Sequence, residues 1–273
     1  MGDEIVEGPM FSNQAYREDQ GGGTAGGPAK QPAVPTIHLA LQGKGGVGKS
    51  QVASILAQYF RHHGKEIHCI DSDPVNQTLS QHAELGAEHL ALMREGRIDT
   101  SGFDHWLDRL LDEDGIFVVD NGASTFVPLW GYIVENNVLE TLAAAGRKLC
   151  VHTIVTGGQA LGDTLKGFKS LADSSDERNM VVWLNEYFGV IERDGKTFTD
   201  MQAYKDSESK VFGLVHIPKR NPDTFGRDVE EVIARKRTFE DAIRNGTATV
   251  ISKQRLRMVQ RDLFEQLDKM PLL

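Results

Sequence analysis

The chain has 273 residues, 40% hydrophobic and 25% charged, the profile of a globular α/β domain with appendages. Its net charge of −9 repels nucleic acid overall, so any DNA contact would need a local basic patch. The two cysteines, Cys69 and Cys150, sit in apolar runs without CxxC spacing, which predicts buried reduced thiols and signals neither a zinc site nor an iron–sulfur cluster.

Residues 1–35 carry Gly21-Gly22-Gly23 and Gly26-Gly27-Pro28 with few large apolar side chains. Such a segment buries too little surface to offset its ordering entropy, which predicts a disordered tail and a folded domain over 36–273. The acidic start (Asp3, Glu4, Glu7) lacks the apolar core of a secretory signal, and no apolar run reaches bilayer length. These features predict a cytoplasmic, reducing location.

Ile37–Leu41 reads as a strand, followed at once by a glycine-rich loop. Val52, Ile55, Leu56, Tyr59 and Phe60 then repeat with the spacing of one helical face, and Gly64 supplies the stop. Ile67–Asp71 is a second strand, Phe103–Leu111 a helix, and Ile116–Asp120 an apolar strand ending in a carboxylate. Further strands are expected at Leu149–Val155, Met180–Leu184 and Val211–Ile217, and helices over 131–145, 159–172, 228–243 and 254–268. Alternating helices and continuously apolar strands predict an α/β fold, a mostly parallel sheet covered by helices on both faces. Ligands bind such sheets beyond the carboxyl ends of the strands. The segments 43–50, 71–76 and 120–124 begin at such ends.

Gly43-Lys44-Gly45-Gly46-Val47-Gly48-Lys49-Ser50, with Gln51 behind it, is a full P-loop. Glycines let successive N–H groups point at phosphate oxygens, and the following helix aims its positive end at the same place. Lys49 would neutralise the β/γ-phosphates of ATP, and the Ser50 hydroxyl would ligate Mg²⁺. A chance glycine-rich turn is the alternative, and the strand–loop–helix context weighs against it. Asp120 fits a Walker B carboxylate that holds Mg²⁺ through water; a solvated strand-end Asp is the plainer alternative. Asn121 follows it where many P-loop motors carry a catalytic Glu. The segment Asn121-Gly122-Ala123-Ser124 would be a loop that senses the γ-phosphate.

The run K-G-G-V-G-K-S, with its second lysine, resembles the deviant Walker A box of the ParA/MinD family of P-loop ATPases. That resemblance implies that Lys44 acts in trans on the phosphates of a homodimeric partner while Lys49 acts in cis. It also implies that Asp73, within Asp71-Ser72-Asp73-Pro74, positions the attacking water and that Asp71 supports the Mg²⁺ shell. Asn185 and Pro218 would contact the adenine. The residues alone leave plainer roles open: a solvated lysine for Lys44, a turn cap for Asp73, a strand-end cap for Asn185. No T/N-K-x-D run is present, which disfavours GTP.

Longer segments over about 36–268 resemble the TraL family of plasmid conjugal-transfer proteins. They include V-D-N-G-A-S-T-F-V-P-L (119–129), V-T-G-G-Q-A-L (155–161), V-W-L-N (182–185) and L-F-E-Q-L-D (263–268). The resemblance implies a bacterial ATP-dependent switch working beside a type IV secretion apparatus, cytoplasmic or peripheral to the inner membrane. A metabolic synthetase of the same fold and a nucleotide-binding module without hydrolysis are the alternatives. Lys253, Arg255, Arg257 and Arg261 suggest a DNA patch or a peripheral membrane helix, but Asp262, Glu265 and Asp268 dilute both, and a solvated helix face is the plainest reading.

Overall fold

The computed structural model describes residues 36–90, 93–94, 97–174 and 179–273; the segment 1–35, expected to be a tail, lies outside them. β1 (Thr36–Ala40) runs through the glycine-rich loop into α1 (Lys49–His62), then β2 (Ile67–Asp71) and the short β3 (Glu88–His89). The small hairpin β4 (Met93–Arg94) and β5 (Arg97–Ile98) precedes α2 (Thr100–Asp112), β6 (Ile116–Asp120), α3 (Phe126–Glu135), α4 (Val138–Ala144) and β7 (Lys148–Thr156). Next come α5 (Leu161–Asp173), β8 (Met180–Asn185), the hairpin β9 (Glu192–Arg193) and β10 (Lys196–Thr197), and α6 (Gln202–Lys205). The described chain closes with β11 (Val211–Ile217), α7 (Arg227–Ala234), α8 (Phe239–Asn245) and α9 (Val250–Leu267).

Seven strands form one parallel sheet in the order β11-β8-β7-β1-β6-β2-β3. Both faces are buried. Along β6, Phe117 and Val119 join the core that includes Trp106 and Phe168, while Ile116 and Val118 join the core that includes Leu56, Phe60 and Leu263. This two-sided burial explains why β6 reads as an unbroken apolar run, and each such large side chain contributes roughly 1.5–3 kcal/mol. Cys69 is buried, but Cys150 is only half-buried, which corrects the expectation for that residue. Burial pushes both free thiols up to about 11.

The α1 stop is as the sequence predicts. Gly64 takes φ +67°, and Lys65 N–H donates to Phe60 O at 3.0 Å, closing the helix end. Two expected helices are each broken in two. The 131–145 segment becomes α3, which starts earlier at Phe126, and α4, with Asn137 at φ 49° between them. The 228–243 segment becomes α7 and α8, separated by Lys236 at φ 53°, after which Thr238 caps the Asp241 N–H. Asn enters the left-handed region easily, whereas Lys does so only under tertiary constraint.

A polar chain crosses three neighbouring strands inside the sheet. Trp183 Nε1 donates to His152 Nδ1 at 3.0 Å, and His152 Nε2 lies 2.9 Å from His38 Nδ1. All three side chains are fully buried, and desolvation holds both imidazoles neutral, His152 down to about 3. At the β11 edge the Gln266 amide accepts from His216 N–H at 2.7 Å and donates to His216 O at 3.1 Å. One side chain thereby stands in for an eighth strand at that point.

Candidate functional site

Register assembles the site. Ala40 pairs with Asp120, and Asp120 pairs with Asp71, so the strand entering the glycine-rich loop ends beside two carboxylates. On the other side Thr156 pairs with Asn185, and Asn185 with Ile217 just before Pro218, which is half-buried. The segments singled out in the sequence therefore meet at one end of the sheet.

The loop leaves Gly43, Lys44, Gly45 and Gly46 exposed and buries Val47. Gly48 takes φ +106° and a Cβ there would stand 3.1 Å from Asn185 Nδ2, so both conformation and space require glycine. Among the described residues no side chain caps the first turn of α1, whose first amides have no intrahelical acceptor. Lys49 is buried, and its Nζ donates to Lys44 O at 3.3 Å. Desolvation lowers its pKa, opposed by the nearby charges of Asp120 and Asp73.

Asp120 is 1% exposed, and among the described residues neither carboxylate oxygen has a partner within normal hydrogen-bond geometry. Burial raises its pKa to about 7; the facing Ser50 hydroxyl and Lys49 pull it back, while Asp71 and Asp73 add to the rise. An orphaned carboxylate beside a hydroxyl is a donor set that fits a hard cation such as Mg²⁺. Among the described residues no group of three or more His, Cys, Asp or Glu could hold a metal ion, so a cation here would take the rest of its oxygens from water and a bound phosphate.

Asp71 is fully buried, with Oδ1 accepting from Asp73 N–H at 3.1 Å and Oδ2 from Ser80 N–H at 2.9 Å. It anchors both ends of the loop after β2. Asp73 Oδ1 accepts from the N–H groups of Val75 (2.8 Å) and Asn76 (3.2 Å), which fixes its rotamer at the loop's start. Ser72 Oγ donates to Asp120 O and to Asn121 Oδ1, and Thr125 Oγ1 donates to the same Oδ1 at 2.6 Å. Asn121 thus joins the loops after β2 and β6. A Cβ at Gly122 would come within 2.9 Å of the Asp73 carboxyl, so glycine allows the two loops to touch.

Lys44 is 45% exposed and forms an ion pair with Asp163 at the start of α5, Nζ to Oδ2 2.9 Å. Gln42, fully buried, accepts from Gly43 N–H at 2.9 Å and donates to Ile154 O (2.8 Å) and Thr164 O (3.1 Å), which fixes the loop entrance to β7 and α5. Asn185 is buried; its Nδ2 donates to Val47 O at 3.0 Å and its Oδ1 accepts from Tyr187 N–H, so it braces the loop from beneath. Gly157 and Gly158 admit the backbone of 188–190: a Cβ on Gly157 would be 2.1 Å from Gly189 O. That packing holds Tyr187, Phe188 and Val190 exposed beside the site.

Sequence reasoning missed Gln42, Asp163 and the buried role of Asn121. A polar residue directly before the first loop glycine was a signal for Gln42; Asp163 lies 119 positions from Lys44 and had none. On α9, Arg255 pairs with the buried Asp228 at 2.6 Å and Arg261 with Asp262 and Glu265. No helix among the described residues is long and apolar enough to cross a membrane.

The parallel sheet, the glycine loop and the carboxylates at its mouth define a P-loop nucleotide-binding domain. The profile of the CobQ/CobB/MinD/ParA nucleotide binding domain matches residues 39–250. Two Escherichia coli proteins named Protein TraL are 43% and 42% identical to the chain, over 85% and 87% of its length and 97% and 99% of theirs. The chain belongs to the TraL family, within the CobQ/CobB/MinD/ParA nucleotide-binding group. In fold it is similar to a chain of the MinC:MinD cell division protein complex of Aquifex aeolicus, with TM-score 0.50, 14% identity, and 84% of this chain and 96% of that chain covered.

Proposed function

We propose that the chain is an ATP-dependent dimerising switch in plasmid conjugative transfer. The Asp120 carboxylate carries this reading: it is buried, short of hydrogen-bond partners among the described residues, and faces Ser50 and Lys49 at the mouth of a phosphate loop. Amides from Gly43 to Gln51 would wrap the triphosphate, and Lys49 would neutralise its β- and γ-oxygens. Ser50 and Asp120, the latter through water, would hold Mg²⁺, which supplies charge neutralisation when bound; Asp71 keeps the adjoining loop in place. Asp73 would orient the attacking water. This chemistry needs positioning more than a strong base. Asn185 and Pro218 flank the end where the adenine would lie, and the absence of a T/N-K-x-D run favours ATP over GTP.

Dimerisation requires Lys44 to leave Asp163 and reach the partner's phosphates. An exposed ion pair is weak enough for such an exchange. Membership of the TraL family supports a place beside the conjugation machinery, in the bacterial cytoplasm or on the inner face of the membrane. Gel filtration with light scattering tests the switch. A non-hydrolysable ATP analogue with Mg²⁺ is expected to convert the protein to a dimer, whereas Lys44→Ala binds the analogue and stays monomeric. An analogue-dependent dimer of Lys44→Ala refutes the reading.

A further inference from the structure

The two flanks of the phosphate loop suit different ends of a nucleotide. Asp71 and Asp120 stand side by side on β2 and β6, with Asp73 close enough to act on Asp120, so a metal ion and the terminal phosphate fit that flank. The base is left to the opposite flank, where Asn185 and Ile217 lie side by side near the ends of β8 and β11.

Asn185 is already engaged there. Its Nδ2 donates to Val47 O at 3.0 Å, and its Oδ1 accepts from Tyr187 N–H at 3.1 Å. Both ends of the amide serve the chain itself, which makes Asn185 a positioning residue, and what it positions is Tyr187. The Tyr187 backbone is pinned to the residue that braces the phosphate loop, while its hydroxyl donates to Glu230 Oε1 on α7 at 2.9 Å. The ring therefore spans the gap between that brace and α7. Phe188 meets it edge to face, with centroids 4.9 Å apart and planes at 87°.

An aromatic side chain tied at both ends has lost its rotamer freedom before any ligand arrives. Tyr187 is nevertheless 54% exposed, and among the described residues it and Phe188 are the only aromatics on the exposed apolar surface. Its polar atoms have partners, whereas much of its ring stays in water. A fixed, half-bare ring beside a phosphate loop is suited to receive a flat aromatic plane.

We propose that Tyr187 is the base-contacting residue of the nucleotide site, its ring stacking on the adenine, with Phe188 as buttress and Asn185 as brace; this rests on the reading of the phosphate loop as an ATP site. Stacking recognises the base and is indifferent to the phosphates. It adds affinity for ATP that inorganic triphosphate cannot draw upon.

Calorimetric titration of the full chain with ATP and with inorganic triphosphate, each with Mg²⁺, separates the two ends of the nucleotide. Tyr187→Ala is expected to weaken ATP by at least about fivefold while leaving triphosphate affinity unchanged, which also verifies that the loop is intact. Tyr187→Phe keeps the ring without the Glu230 bond and is expected to recover most of the lost ATP affinity. Unchanged ATP affinity in Tyr187→Ala, an equal loss for triphosphate, or Tyr187→Phe as weak as Tyr187→Ala overturns the proposal. A wild-type chain that binds neither ligand overturns the ATP-site reading itself, whereas wild-type binding of triphosphate alongside any of those three results leaves that reading in place.

Discussion

At the scale of single residues, Asp120 trades stability for a site. Its folded pKa of about 7 lies well above the ordinary range of an aspartate carboxyl, so the ionised form is disfavoured in the fold, and the penalty grows as pH rises from about 4 to 7. Asp120→Asn removes that penalty. It is expected to raise the melting temperature of the nucleotide-free protein at pH 7.5 while abolishing the gain in nucleotide affinity from Mg²⁺. The stability difference between the variant and the wild type should shrink by about 1.4 kcal/mol for each pH unit between 7 and 4. A pH-independent difference, read from urea unfolding, would assign the effect to another group. The residues behind this prediction were legible in the sequence because a P-loop followed by an apolar strand ending in Asp is a local pattern. Asn121 was not, since its value lies in atoms it meets across the fold.

Among elements, the sheet was read almost strand for strand, because burial on both faces leaves a continuous apolar signal. The helices were read less well. Apolar spacing continued through Asn136-Asn137 and Arg235-Lys236, and only tertiary contacts show the chain turning there. The two-residue strands carry too few positions for any periodicity. Two predictions belong here. Trp183→Phe leaves His152 Nδ1 without its donor between β7 and β8, and is expected to cost about 1–3 kcal/mol in urea unfolding with little change in nucleotide binding. Gly157→Ala forces the 188–190 backbone away, since the new Cβ would sit 2.1 Å from Gly189 O. Limited proteolysis at Tyr187 and Phe188 should then quicken by tenfold or more before global unfolding, and unchanged cleavage would show that the loop is not held by this contact.

Across the whole molecule, the Lys44–Asp163 pair joins the phosphate loop to α5 over a long sequence separation, and no local pattern announces it. Its expected consequence is a threshold. Asp163→Ala frees Lys44, so analogue-dependent dimerisation should occur at a few-fold lower nucleotide concentration, with monomer binding of nucleotide unchanged. Sedimentation velocity across an analogue titration measures this, and a dimerisation midpoint that stays put, or moves upward, argues that Asp163 does not restrain Lys44. The basic segment of α9 gives the opposite lesson. It stood out in the sequence as a charge cluster, but Arg255 and Arg261 are tied to carboxylates of the same chain.

The Gln266 amide on His216 bears on how copies of this protein can meet. A bare outer strand invites another chain to extend the ladder without limit, and here that lateral route is obstructed on one flank by a side chain and on the other by a strand only two residues long. The dimer proposed above would then meet through the strand termini, where a closed pair excludes open-ended polymers. Gln266→Ala should accordingly leave the proposed nucleotide-driven pairing intact while making concentrated solutions prone to fibrous aggregation.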